Sequence, residues 1–183
     1  MKAHFQMFAA YNKWANELLF RAAAQIPDED FRLDRGAFFK SVHGTLNHIL
    51  VGDRIWMRRF SGEGDAPKRL DMILCQELEK LAIEREKEDM RIIAWVDGLT
   101  EKAFSGRFTY TTVTDMRTIS QRIAPALAHF FNHQTHHRGQ AHMILTTLGR
   151  QAPELDLLYY QREADAGRED RAEPERKQEN RCC

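Results

Sequence analysis

The stretch His129-Phe130-Phe131-Asn132-His133-Gln134-Thr135-His136-His137-Arg138-Gly139-Gln140-Ala141-His142 decides how the rest of the chain is read. It lies inside a helical pattern that runs roughly from Ala124 to Leu148. Pro125 suits the first turn of that helix and Gly149 suits the position just past its end. His133 and His137 are four residues apart, so they share one face with about 6 Å of axial rise between them. Two imidazoles at that spacing can chelate one ion. His129 lies on the same face but about 12 Å along the axis from His137, too far for all three to meet one ion on a straight helix. A third ligand must therefore come from another element. His136, three residues from His133, competes with His137. The core direction set by Leu127, Phe130, Ala141, Ile144 and Leu148 accommodates both pairs, so periodicity leaves the choice open. Gln134 stands where the H-E-x-x-H motif of zinc proteases has its glutamate, which argues against peptide hydrolysis by that route.

Working outward, the chain reads as an all-α four-helix bundle with a long crossover and a short β-hairpin before the last helix. Phe5, Phe8, Tyr11, Ala15, Leu18 and Ala22 recur at three- and four-residue steps and predict a first helix over Ala3 to Gln25. Ile26-Pro27-Asp28 ends it. A second helix is expected over Phe38 to Phe60, followed by the loop Gly62-Glu63-Gly64-Asp65-Ala66-Pro67. A third is expected over Asp71 to Asp97, with Asp71 as its cap and Leu74, Leu78, Leu81, Ile92, Trp95 and Leu99 in heptad phase. Arg85 and Glu88 fall in that apolar phase; local drift with both charges solvated is the plainer reading, a polar cavity the other. Phe108 to Val113 is β-branched and aromatic, and Thr114-Asp115 can turn it back on Met116 to Ile119. Leu155 to Tyr160 suits a last helical turn. The bundle is thus placed at 1–160. The segment 161–183, almost wholly charged and small residues, is expected to be a disordered or frayed tail.

The candidates for the third ligand are His4, His43 and His48. His48 lies within Leu46-Asn47-His48-Ile49-Leu50-Val51 and shares a face with the small residues Ser41, Thr45 and Gly52, which leaves room for a ligand or water. His43 points roughly 140° away from it. A lone histidine in such a setting is usually a hydrogen-bonded core residue, but a chelating pair on another helix favours His48 as a ligand. Three imidazoles, His48, His133 and His137, suit a divalent transition metal, zinc or nickel foremost, and suit Mg²⁺ and Ca²⁺ poorly. Three protein ligands leave a coordination position open, as in catalytic sites. The inward Glu-x-x-His spacing of di-iron bundles is missing.

Composition narrows the classes further. The chain has 183 residues, 43% of them hydrophobic, enough for one domain with a sizeable core. The 27 basic residues balance 27 acidic ones, which gives no positive field for nucleic acid. No membrane span or secretory leader is expected, so the cytoplasm is the default. Cys75 reads as a small core residue. Cys182-Cys183 form neither a disulfide framework nor a zinc ribbon, and no function is assigned to them.

Three segments resemble the DinB family: Tyr11-Asn-Lys-Trp14-Ala-Asn16-Glu-Leu-Leu19, Leu46-Asn-His48-Ile-Leu-Val-Gly-Asp53-Arg-Ile-Trp56-Met-Arg58, and Asn132-His133-Gln-Thr-His136-His137-Arg138-Gly139-Gln140. Asp156-Leu-Leu-Tyr-Tyr160 resembles the family's close. The resemblance implies a four-helix bundle with one long crossover, commonly a homodimer. It implies a metal on one histidine of the second helix and on the first and last histidines of the H-x-x-x-H run, here His48, His133 and His137. His136 then becomes a supporting or packing residue. Members with assigned activities are largely thiol-dependent transferases or isomerases that use a low-molecular-weight thiol, whose pKa the metal would lower. The expected function is therefore a metal-dependent enzyme of thiol-transferase type, or a hydrolase-like one, acting on a small-molecule substrate in a stress-response, damage-inducible or detoxification setting. The alternative is a non-catalytic metal-binding or dimerising bundle. Asp53 and Arg138 are read mainly as inter-helix salt-bridge residues.

Overall fold

The computed structural model describes residues 1–112 and 115–167. The chain divides into two compact units, Met1–Pro153 and one that begins at Glu154. The second carries helix over 157–167, so the segment after Gln161 begins helical. The remainder of the expected tail, with Cys182 and Cys183, lies outside the described residues, as do Val113 and Thr114 of the expected turn.

The first unit contains α1 (Lys2–Ala23), α2 (Asp28–Arg32), α3 (Val42–Ser61), α4 (Leu78–Gly98), a 3₁₀ turn (Glu101–Ser105), β1 (Arg107–Thr111), β2 (Thr118–Arg122) and α5 (Ile123–Thr147). The four long helices form the bundle. α1 packs on α4 and α5, and α3 packs on the same two, so α1 and α3 stand diagonally. β1 and β2 pair antiparallel with Tyr110 opposite Ile119. Among the described residues no helix is long and apolar enough to cross a membrane.

Two helix starts differ from expectation. α3 begins at Val42 rather than Phe38, because Ser41 Oγ accepts the Gly44 N–H at 3.1 Å and caps it. The preceding residues turn tightly, with Lys40 at φ 69°. α4 begins at Leu78 rather than Asp71. Asn47 Oδ1 accepts the N–H groups of Leu74 at 2.8 Å and Cys75 at 3.0 Å, which holds that segment as a loop against α3. Asp71 does not cap a helix; it pairs with Arg69 at 2.7 Å. Cys75 is half-buried against the core, as expected of a small packing residue.

The apolar core is in two parts. One gathers Leu19, Leu46, Leu50, Leu81, Ile144 and Leu145, and the other Phe5, Trp56, Ile92, Phe104, Phe130 and Phe131. Each large side chain buried there contributes about 1.5–3 kcal/mol by its removal from water. On every long helix a turn of buried polar residues separates the two parts: Asn12 and Asn16, Asp53, Arg85 and Asp89, Gln134 and Arg138. Arg85 and Glu88 are therefore not solvated charges on a drifting face. Arg85 lies 2.6 Å from Asp53 and 3.1 Å from Asp89, and Glu88 is buried with Arg91 3.0 Å away.

Candidate metal centre

The histidines met in the sequence separate cleanly. His4 is exposed and lies edge-on to Phe5 and Phe8. His43 donates Nε2–H to the Cys75 carbonyl at 3.0 Å. His129 lies against the Trp56 ring at 5.1 Å. His48 from α3 and His133 and His137 from α5 come together, each offering one nitrogen, with the three nitrogens within 4.8 Å of one another. His137 Nε2 is 3.1 Å from His48 Nε2 and 3.1 Å from His133 Nε2. Two imidazoles bound tetrahedrally at zinc–nitrogen distances would stand about 3.3 Å apart, so the spacing fits a first-row transition ion.

Hydrogen bonding fixes which nitrogens are free to bind. His48 Nδ1 lies 2.8 Å from the Leu70 carbonyl, which can only accept, so Nδ1 carries the proton. His137 Nδ1 lies 2.8 Å from Gln140 Oε1. In this orientation the Gln140 amide nitrogen lies 3.2 Å from His136 Nε2, and Oε1 accepts from His137 Nδ1. With Gln140 so oriented, the Nε2 lone pairs of His48 and His137 face one another across 3.1 Å. Protonating the rings is disfavoured too. Burial, opposed by the Leu70 carbonyl, brings His48 down to about 4. Burial first, then the neighbouring imidazoles, brings His133 down to about 3, and burial also lowers His137. Two buried, neutral imidazoles with converging lone pairs repel one another unless a cation lies between them. The donor set is thus compatible with a divalent ion, and the supporting bonds to Leu70 and Gln140 are the kind that orient metal-binding histidines.

The small residues of α3 act differently from the sequence expectation. Thr45 donates to the Ser41 carbonyl at 2.8 Å and Ser41 caps the helix, so neither opens a space. Gly52 lies against His133: a Cβ there would meet His133 Cε1 at 3.0 Å. The space that Gly52 leaves admits the His133 ring. Phe39, which the sequence did not single out, stacks on His48 with centroids 3.6 Å apart and rings 14° from parallel, and lies edge-on to His137. Gly44 permits this, since a Cβ there would stand 2.1 Å from the Phe39 carbonyl oxygen. His48 and His137 are buried, whereas His133 is partly exposed. The Leu70 carbonyl carried no sequence signal; Gln140 did, as an amide one helical turn after His137.

Asp53 and Arg138 do not touch these nitrogens. Asp53 makes the expected inter-helix ion pair, with Arg85. Arg138 makes hydrogen bonds instead, donating to Asn12 and, at 3.4 Å, to Asn16 on α1.

The DinB family model matches residues 1–176. The chain is 24% identical over 158 residues to Protein DinB of Bacillus subtilis (strain 168), covering 82% of this chain and 89% of that protein. Among solved structures, the crystal structure of a DinB-like protein from Bacillus cereus ATCC 10987 is similar with a TM-score of 0.61 at 16% identity, over 79% of this chain and 91% of that one. At that identity the structural likeness speaks for the fold alone. A family match over nearly the whole chain, on a bundle of this architecture, places the chain in the DinB family.

Proposed function

We propose that the protein is a metal-dependent enzyme of thiol-transferase type, with one divalent transition metal, zinc or nickel, held by His48, His133 and His137. The observation that carries the reading is the convergence of three imidazole nitrogens, from His48, His133 and His137, within 4.8 Å of one another, with the Nε2 atoms of His48 and His137 3.1 Å apart. Such a metal would supply Lewis acidity that lowers the pKa of a thiol or water placed at the position the three imidazoles leave open. The protein's own contribution is orientation and exclusion of water. Leu70 and Gln140 orient two of the rings, Gln140 in turn contacts His136, and Phe39 covers His48. Substrate then approaches on the side of the partly exposed His133. The family resemblance supports a small-molecule substrate, a low-molecular-weight thiol, a role in stress response or detoxification, and a homodimer in the cytoplasm.

The test is metal content by mass spectrometry on protein purified without a histidine tag, beside His48→Ala, His133→Ala, His137→Ala and the control His129→Ala. About one metal per chain, lost in the first three variants and kept in the fourth, is expected. Metal-loaded protein should then couple a thiol to a chloro-dinitro-arene. Wild-type protein that stays metal-free after reconstitution with Zn²⁺ or Ni²⁺ would sink the reading. Metal without turnover across a thiol panel would leave a non-catalytic metal-binding bundle.

A further inference from the structure

Arg59 is a cation that the bundle does not use. It is half-buried near the end of α3, with its guanidinium 4.6 Å from the Trp56 ring and 4.5 Å from the Tyr110 ring of β1. Among the described residues it makes no hydrogen bond or ion pair, in contrast to Arg54, Arg85, Arg91 and Arg138 of the same bundle. Two aromatic faces satisfy the flat sides of a guanidinium and hold it still, but they leave its N–H edge unfilled. A fixed planar edge of donors in a partly dry setting is what a carboxylate or phosphate recognises. Stability of the hairpin alone would explain the stacking but not a half-buried cation left without an anion.

Its position ties it to the metal centre. Arg59 is seven residues from Gly52, two helical turns, so both lie on one face of α3. That is the face against which His133 rests. The guanidinium folds back over Trp56, which touches His129, and the His129 ring is 5.9 Å from that of His133. Trp56 is one turn from Gly52, so the cation stands roughly 6–10 Å along the helix from the level of His133. Burial beside these rings keeps the Arg59 pKa below its ordinary value, and burial first, then Arg59, lowers that of His129.

We propose that Arg59, stacked between Trp56 and Tyr110, is an anion-binding subsite of the His48–His133–His137 centre, and that the small molecule served there carries a carboxylate or phosphate about 6–10 Å from its reacting atom. This deepens the metalloenzyme reading and rests on it for the reacting atom, but not for the anion. The first arm of the test therefore needs no metal. Protein as purified is titrated with butyrate, with inorganic phosphate and with the uncharged control butanol, following the Arg59 Nε–H and Trp56 indole signals by NMR. Saturable shifts are expected with the anions and not with butanol. In Arg59→Met the Trp56 shift should be lost, and in Arg59→Lys it should persist at several-fold weaker affinity, the stack remaining without the planar donor edge. Whichever anion binds more tightly names the group. The second arm uses Co²⁺-loaded protein and the sulfur-to-cobalt absorption band. 6-Mercaptohexanoate should bind at least tenfold tighter than 6-mercaptohexanol, and Arg59→Met should erase most of that preference. Absence of an anion-dependent shift in wild type, or an Arg59→Met protein that responds as wild type does, overturns the subsite. Failure to load cobalt strikes the metal reading, while the first arm decides the subsite by itself.

Discussion

Two polar clusters lie at the same level of the bundle, and they are built on opposite principles. In the centre, every charge has a protein partner: Arg85 between Asp53 and Asp89, and Asp89 accepting from Asn12 at 3.1 Å and Asn16 at 3.0 Å. At the α3–α5 edge, three imidazoles bring one nitrogen each within 4.8 Å of one another, and among the described residues no ion pair reaches them. The first is a closed account of charge and holds four helices in register. The second would be completed by the proposed metal. Polarity inside one bundle can therefore be paired by the chain itself or left facing its own kind. What separates the two is whether charges of opposite sign meet within the chain.

The sharpest way to break this comparison is Asp89→Ala. It removes the acceptor shared by Arg85, Asn12 and Asn16 and leaves a buried guanidinium short of one partner. A loss of about 3–5 kcal/mol is expected in urea denaturation of metal-free protein. Metal bound per folded molecule should stay near wild type, since the imidazoles are untouched. A marked loss of metal with little loss of stability would mean that the central network belongs to the metal site.

The converse variants come next. His48→Ala and His137→Ala should each weaken metal binding by roughly a hundredfold or more, beyond what loss of a supporting residue does. Metal-free wild type and variants should unfold within about 1 kcal/mol of one another, because the substitutions relieve lone-pair repulsion as they remove packing. Chelator titration followed by denaturation checks both halves. If His48→Ala unfolds the metal-free chain as Asp89→Ala does, the histidines are ordinary core residues.

Much of this contrast was legible in the sequence, and its limits have physical causes. The bundle followed from three- and four-residue apolar steps, and the chelating pair from the spacing of His133 and His137. Periodicity left His136 open. The structure parts the two because His137 turns inward with Nδ1 on Gln140, while His136 stays exposed. The late start of α4 was invisible, because the bonds that hold 74–75 as a loop come from Asn47, 27 and 28 residues away. The central network was misjudged for a related reason. A charge in an apolar phase looks solvated until its partners are known: Asp53 on α3 pairs with Arg85, and Asn12 on α1 joins Asp89 to Arg138 on α5. Local patterning sees one helix at a time, whereas the central network draws on four and the histidine cluster on two.

Gln140→Ala sharpens the comparison on a smaller scale. Gln140 touches no candidate metal-binding nitrogen, but its amide oxygen lies 2.8 Å from His137 Nδ1 and orients the ring. Its loss should reduce metal affinity about tenfold while leaving stability nearly unchanged, as its side chain is only partly buried. Competition with a chromophoric chelator measures this. An unchanged affinity would mean that the His137 ring needs no help.

The finest test is Gly52→Ala, because it should move the two properties in opposite directions. Gly52 sits inside α3, where alanine is preferred over glycine by about 0.5–1 kcal/mol for its smaller loss of backbone entropy. The added Cβ would stand 3.0 Å from His133 Cε1, closer than carbon atoms rest, so the ring must give way by a few tenths of an ångström. In an apolar core that adjustment would cost part of the helical gain and nothing more. In a metal centre it tilts one of three ligands. Denaturation of the metal-free variant should therefore show stability equal to or slightly above wild type, with metal affinity several-fold lower. A variant that is more stable and binds metal equally well would show that His133 has room to spare. A variant weakened in both would show that Gly52 is kept for packing alone.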